Sequence, residues 1–129
     1  MSRVVGRALV LDEGLSLWGG MDPGTGELID AHHPQHGALL TGRIVVMPSG
    51  RGSSSSASVL AEAVRAGTAP AAFVLEEPDL ILSIGSAVAE ELYGVLVPVL
   101  VLGLDAREPI ADGVGLVIGS DASVRRADL

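Results

Sequence analysis

The stretch Gly42-Arg43-Ile44-Val45-Val46-Met47-Pro48-Ser49-Gly50-Arg51-Gly52-Ser53-Ser54-Ser55-Ser56 decides the fold. Arg43 to Met47 is a short, continuous apolar run of the kind buried on both faces of a sheet, and Pro48 to Gly52 is a turn that ends it. A helix follows. Ser53 or Ser54 can serve as its amino-terminal cap, and Val59, Leu60, Ala63 and Val64 recur at helical spacing to make one apolar face. Gly67 supplies the left-handed residue that closes the helix, and Pro70 stands beyond it as a stop.

Downstream the alternation continues. Ala71 to Leu75 reads as a strand broken by Glu76-Glu77-Pro78, and Leu80 to Ile84 as another. Gly85-Ser86 opens a second short helix that runs through Leu92 and ends at Gly94. Val97 to Leu102 and Leu116 to Ile118 are further strands, with a loop around Asp105 to Gly113 between them. Upstream, Val4 to Leu11 is a strand and Leu15 to Trp18 a candidate second one. Gly19 to Gly26 is dense in turn formers and Glu27 to Ile29 resumes extended structure, which predicts a hairpin-like excursion. Ala31 to Gly37 is a loop, because Pro34 lacks a donor and restricts His33 to extended geometry. The predicted class is α/β, a β/α/β arrangement with a mixed sheet and a strand-rich amino-terminal part, with residues 1–129 forming a single domain.

Of 129 residues, 48% are hydrophobic and only 2% aromatic, so the core is built from Val, Leu, Ile and Ala. Eight cationic residues, all arginine, face sixteen acidic ones, for a formal net charge of -8. The arginines are scattered, which leaves no basic stripe or aromatic platform for a nucleic acid. Without cysteine the chain has no disulfide framework and cannot itself ligate an iron–sulfur cluster or a thiolate zinc ion. No charged leader with an apolar stretch opens the sequence, and the run Val95 to Leu102 is interrupted by Pro98 and too short to span a bilayer. These features predict a soluble, cytoplasmic protein that binds neither membrane nor nucleic acid.

The chemistry concentrates in the loop from Pro48 to Ser56. Its glycines let the backbone approach a ligand, and the unpaired amides of the first helical turn, with the helix dipole, favour negative charge there. Arg51 adds a positive fork suited to a carboxylate or phosphate, and the hydroxyls of Ser53 and Ser54 sit where they can donate to a bound group or exchange protons with it. Several known loops are excluded. The dinucleotide fingerprint needs Gly or Ala where Ser55 stands, the triphosphatase loop needs a lysine this chain lacks, and no Gly-x-Ser-x-Gly elbow is present. A polar turn with a serine-rich cap is the competing, purely structural reading of the same residues.

His32, His33 and His36 do not share a helical face, because Pro34 lies among them, and Asp30 is the one further ligand type nearby. They read as a structural or solvent-facing loop from which one ring can reach a substrate, and no metal site is expected. Glu76, Glu77, Glu90 and Glu91 read as solvated faces or caps.

The ordered set His33-Pro34, Gly42 to Pro48, Gly50-Arg51-Gly52-Ser53-Ser54, Ala69-Pro70-Ala71-Ala72 and Ile84-Gly85-Ser86-Ala87-Val88-Ala89 resembles the small subunit, or swivel domain, of aconitase X, over roughly residues 3 to 120. The resemblance implies a mobile β/α/β domain that closes over a larger catalytic subunit, with an iron or iron–sulfur centre expected on that subunit and no cofactor on this chain. It places the catalytic serine on Ser53; the chemistry of the loop adds Gly50, Arg51, Gly52 and Ser54 as candidate substrate-binding residues, and His33 is a further candidate, to orient a hydroxyl or ring nitrogen. Other aconitases follow the two serines with an arginine that holds substrate carboxylate; here Ser55 stands there, and Arg51 is the candidate replacement. The implied reactions are dehydrations of a small carboxylate: cis-3-hydroxy-L-proline to Δ1-pyrroline-2-carboxylate, preferred because the loop holds a single cation, or mevalonate 5-phosphate to its anhydro derivative. A non-catalytic regulatory or scaffolding subunit that binds a small anion through the same loop is the alternative of another class.

Overall fold

Four apolar segments separated by connections long enough to return across a sheet can pair in parallel. In the computed structural model, which describes residues 2–102 and 110–129, they do so. The strands are β1 (Val4–Val10), β2 (Ile44–Met47), β3 (Ala72–Leu75) and β4 (Val99–Val101), continued by β5 (Gly115–Ile118) and β6 (Val124–Arg126). The six-stranded sheet has the order β4-β3-β2-β1-β5-β6, with β1 to β4 parallel and β5 and β6 antiparallel. Helix α2 (Ser56–Ala66) links β2 to β3, and α3 (Leu80–Tyr93) links β3 to β4. The sheet is therefore mixed, as the sequence predicts.

Alternation along the strands divides the core in two. Leu9, Val45, Met47, Phe73 and Leu75 point to the face covered by α2, α3 and the excursion after β1. Ala8, Ile44, Val46, Ala72, Val74, Leu116 and Ile118 point to the other face. No helix lies there among the described residues. The sheet curls instead, and Val114, Val124, Leu100 and Leu102 close over that side.

Four expectations change. Leu80 to Ile84 is not a strand but the start of α3, a single helix. Asp79 caps it by accepting a 2.9 Å bond from the Leu82 amide, and Leu82 is buried while Leu80 and Ile84 are exposed, a helical rather than an alternating pattern. Leu15 to Trp18 is not a strand either: Leu15 makes one parallel bridge to Gly50, and the chain then enters a single turn, α1 (Leu17–Gly20), whose Trp18 and Gly19 leave helical dihedrals. The extended character of the first forty residues beyond β1 is confined to that bridge and to two more, Met21 with Leu28 and Glu27 with Leu39. The residue before α2 is Ser55, without a side-chain capping bond, so neither Ser53 nor Ser54 fills the cap position. β6 was not anticipated, and the loop around Asp105 to Gly113 lies partly outside the described residues.

Candidate functional site

Parallel strands send their carboxyl ends to one edge of the sheet, where open α/β sheets gather ligand-binding loops. Here that edge carries the segments that follow β1, β2 and β3, and backbone bonds lace them together. Leu11 N donates to Val46 O (2.8 Å), Arg51 N to Leu15 O (3.2 Å) and Glu76 N to Pro48 O (3.0 Å). The fit leaves no room for side chains at two glycines. A Cβ on Gly50 would strike the Asp79 carboxylate, and one on Gly14 would strike the Ser49 carbonyl. Gly52 holds a positive φ of 83°, which turns the chain toward α2.

That turn sets the environment of Ser53. Its hydroxyl oxygen accepts the Ser55 amide at 3.1 Å, and its carbonyl accepts the Ser56 amide at 3.0 Å. The hydroxyl keeps its own proton and a further lone pair, while the amide beside it favours negative charge on that oxygen. Among the described residues, the amides of Gly52, Ser53 and Ser54 meet no acceptor. They lie at the positive end of the α2 dipole. Ser54 is exposed, and its carbonyl accepts the Ala57 amide at 3.3 Å.

Arg51 lies beside this group. Its Nη1 is 3.8 Å from Glu13 Oε1, with the two side chains 61% and 42% exposed, a loose pair that solvent weakens. Arg43, on the same β/α unit, is committed elsewhere: it donates to the carbonyls of Arg7 (3.2 Å) and Ala8 (2.6 Å) and braces β1 at the start of β2.

His33 is buried, with 4% of its surface exposed. Its Nδ1 accepts the Gln35 amide at 3.0 Å, so Nε2 carries the proton and donates to the Glu13 carbonyl, also at 3.0 Å. Of the two readings of this loop, structural or solvent-facing, His33 takes the structural one. Its ring is used inside the fold, where it fastens the histidine loop to the residue that pairs with Arg51. Gln35 doubles the tie through two bonds to Asp12, of 3.0 Å and 2.9 Å. His32 and His36 are exposed. Among the described residues no group of three or more His, Cys, Asp or Glu is arranged to hold a metal ion, and no helix is long and apolar enough to cross a membrane.

Sequence reasoning missed two residues, Glu13 and Ser56. Glu13 reaches Arg51 only because the bridge of Leu15 to Gly50 aligns their segments. Ser56 is buried; its Oγ accepts the Trp18 amide at 3.2 Å and lies 3.4 Å from Ser16 Oγ, clipping α1 to the first residue of α2. Within four consecutive serines nothing marked Ser56 as the buried one except its helical phase with Leu60 and Ala63.

A family model described as the aconitase X swivel domain matches residues 1–125. A cis-3-hydroxy-L-proline dehydratase of Pseudomonas aeruginosa is 51% identical over 98 residues, which cover 76% of this chain and 17% of that protein. A phosphomevalonate dehydratase small subunit of Methanopyrus kandleri is 44% identical over 87 residues, covering 67% of this chain and 64% of that one. The chain thus spans only 17% of the Pseudomonas aeruginosa protein and 18% of a cis-3-hydroxy-L-proline dehydratase of Hypocrea jecorina. In fold it superposes on the crystal structure of Thermococcus kodakaraensis aconitase X in its holo-form, with a TM-score of 0.85, 24% identity, and coverage of 98% of this chain and 92% of that one.

Proposed function

Because the chain belongs to the aconitase X swivel-domain family, we propose that it serves as the serine-bearing small subunit of a hydro-lyase completed by a larger catalytic subunit. The observation that supports this reading best is the setting of Ser53, a hydroxyl supported by an amide at the start of α2, beside unpaired amides and Arg51. A serine hydroxyl is a poor base unless the alkoxide it becomes is stabilised, and convergent amide donors at a helix start provide that stabilisation.

Ser53 Oγ takes the carbon-bound proton of the substrate. Arg51, released from its loose pairing with Glu13, takes the substrate carboxylate. Gly50, Gly52 and Ser54 shape the loop and offer backbone contacts, and His33 acts through Glu13 as a positioning residue. Departure of hydroxide needs an acid that the partner provides. An iron centre would supply Lewis acidity for it, but the donors of this chain do not fit one, since cysteine is absent and the described residues hold no metal-binding cluster. We assign that centre to the larger subunit.

The preferred substrate is cis-3-hydroxy-L-proline, giving Δ1-pyrroline-2-carboxylate. Two things support it: the relative at 51% identity carries that activity in its name, and the loop holds one arginine, enough for one carboxylate. The 44% identity to a phosphomevalonate dehydratase small subunit supports the second reading, mevalonate 5-phosphate, with the phosphate held by the partner. The test is turnover of each compound by the chain alone, by its larger subunit alone and by the pair. The pair is expected to dehydrate hydroxyproline, and neither part alone to do so. In the pair, Ser53→Ala is expected to lower turnover by at least about a hundredfold, the usual scale for a lost proton-transfer group. A silent Ser53→Ala would favour a scaffolding subunit, and turnover of mevalonate 5-phosphate alone would reverse the substrate.

A further inference from the structure

Helix α3 carries an apolar row that the fold leaves uncovered. Leu80, Ile84, Val88 and Leu92 follow one another at i, i+4 spacing and expose 74%, 47%, 41% and 62% of their surface. Leu82 and Ala89, on the other side of the same helix, are buried. A helix that faced only water on its outer side would place polar residues there. Ile84 and Val88 also wall a groove whose opposite bank is formed by Ala57 and Ala61 of α2, with Tyr93 at one end. The two helices cross closely because Gly85 has no side chain: a Cβ there would lie 3.0 Å from Ala57 Cα. Small residues on one bank and branched ones on the other leave a channel suited to a ridge of side chains from a partner helix.

We propose that this row and groove are where the larger catalytic subunit packs, presenting an aliphatic ridge accompanied by a basic side chain. The proposal rests on the two-part reading given above. Charge decides the occupant. Glu91 is exposed beside Leu92 at the far end of the row, while Glu62 on the opposite bank is already paired with Arg65, so an occupying surface meets one open carboxylate, that of Glu91. A second copy of this chain, with a net charge of -8 and the same Glu91, would bring like charges together, whereas a partner with arginine or lysine beside Leu92 would neutralise that carboxylate. Position agrees as well. The row begins at Leu80, next to Asp79, whose carboxylate abuts Gly50 of the serine loop. A body that reaches Ser53 can therefore extend along α3 as one continuous surface.

The test measures binding of the purified larger subunit to the chain by titration, alongside sedimentation of the chain alone. Ile84→Asp and, separately, Leu92→Asp are expected to weaken binding at least about thirtyfold, the scale of an interface anchor. Leu39→Asp, an equally exposed apolar site on the excursion, is expected to leave it within about threefold, as a residue outside the interface should. Circular dichroism melting checks that each variant stays folded, and Leu92, at the exposed end of α3, covers the case in which Ile84→Asp does not. Undiminished binding by folded Ile84→Asp and Leu92→Asp would overturn the proposal. So would a dimer of the chain alone that Ile84→Asp dissociates. If the unaltered chain binds no larger subunit at all, the two-part reading fails, and the docking face with it.

Discussion

Ser53 and Arg51 differ in what the fold has already done for them. The Ser53 oxygen is held by the Ser55 amide, whereas Arg51 is held only by a long, exposed contact to Glu13. A carboxylate of the chain thus stands where a substrate carboxylate is proposed to bind, and the pair is weak enough to exchange. Arg51→Gln is expected to raise KM for the hydroxy acid at least about tenfold, because a charged hydrogen bond is lost, and to change kcat less. Glu13→Gln should lower KM or leave it unchanged, by removing the competitor, and Arg125→Gln on β6 should do neither. Steady-state kinetics of the assembled enzyme decide this, and an equal effect of Arg51→Gln and Arg125→Gln would remove Arg51 from the anion site. The roles proposed for Arg51 and Ser53 could be drawn from sequence because the chemistry behind them is local to one loop. Glu13 and the burial of His33 could not, because both depend on contacts between the segment after β1 and distant parts of the chain.

At the level of elements, the glycine-rich turn and α3 form a single device. Asp79 ends the connection from β3, caps α3 through the Leu82 amide and presses its carboxylate against Gly50. The loop therefore takes its position from the cap of the next helix. Gly50→Ala is expected to shift the loop or unseat the cap, costing at least about 1 kcal/mol, the worth of an amino-terminal cap, and lowering turnover more than stability alone explains. Asp79→Ala should cost a similar amount of stability and, since it relieves the same collision, the double variant Gly50→Ala with Asp79→Ala should cost less than the two changes summed. Thermal melts of the four proteins check this, and strict additivity would show that the two residues do not meet. The sequence revealed the turn and α2 because glycine, serine and helical spacing agree there. It misread Leu80 to Ile84, since a five-residue apolar run suits a buried strand as well as a helix, and the arbiter, the Asp79 cap, follows a proline that also ends strands.

For the whole molecule, the same fold occurs in two settings. In the hydroxyproline dehydratases the matching part is 17% and 18% of a long polypeptide, while in the archaeal relatives it is named a small subunit. Joining two parts in one chain turns their encounter into an intramolecular event with an effective concentration in the millimolar range, about the value for a short flexible linker. Separate chains have only their bulk concentration, set against the dissociation constant of the docking face proposed on α3. On the proposed division of labour, a serine loop brought to a partner's active site is present in every fused molecule but only in the associated fraction of separate ones. The specific activity of the chain and its larger subunit, supplied as two polypeptides, should therefore fall as both are diluted through their dissociation constant. The same pair joined by a flexible linker should keep its specific activity over that range. Ile84→Asp should move the dilution curve of the separate pair to higher concentration and hardly affect the joined one, whereas Ser53→Ala should depress both curves alike. This separates docking from chemistry in one set of assays. A joined protein whose activity also falls on dilution would place the concentration-dependent step elsewhere, in association of whole complexes rather than in the meeting of the two parts.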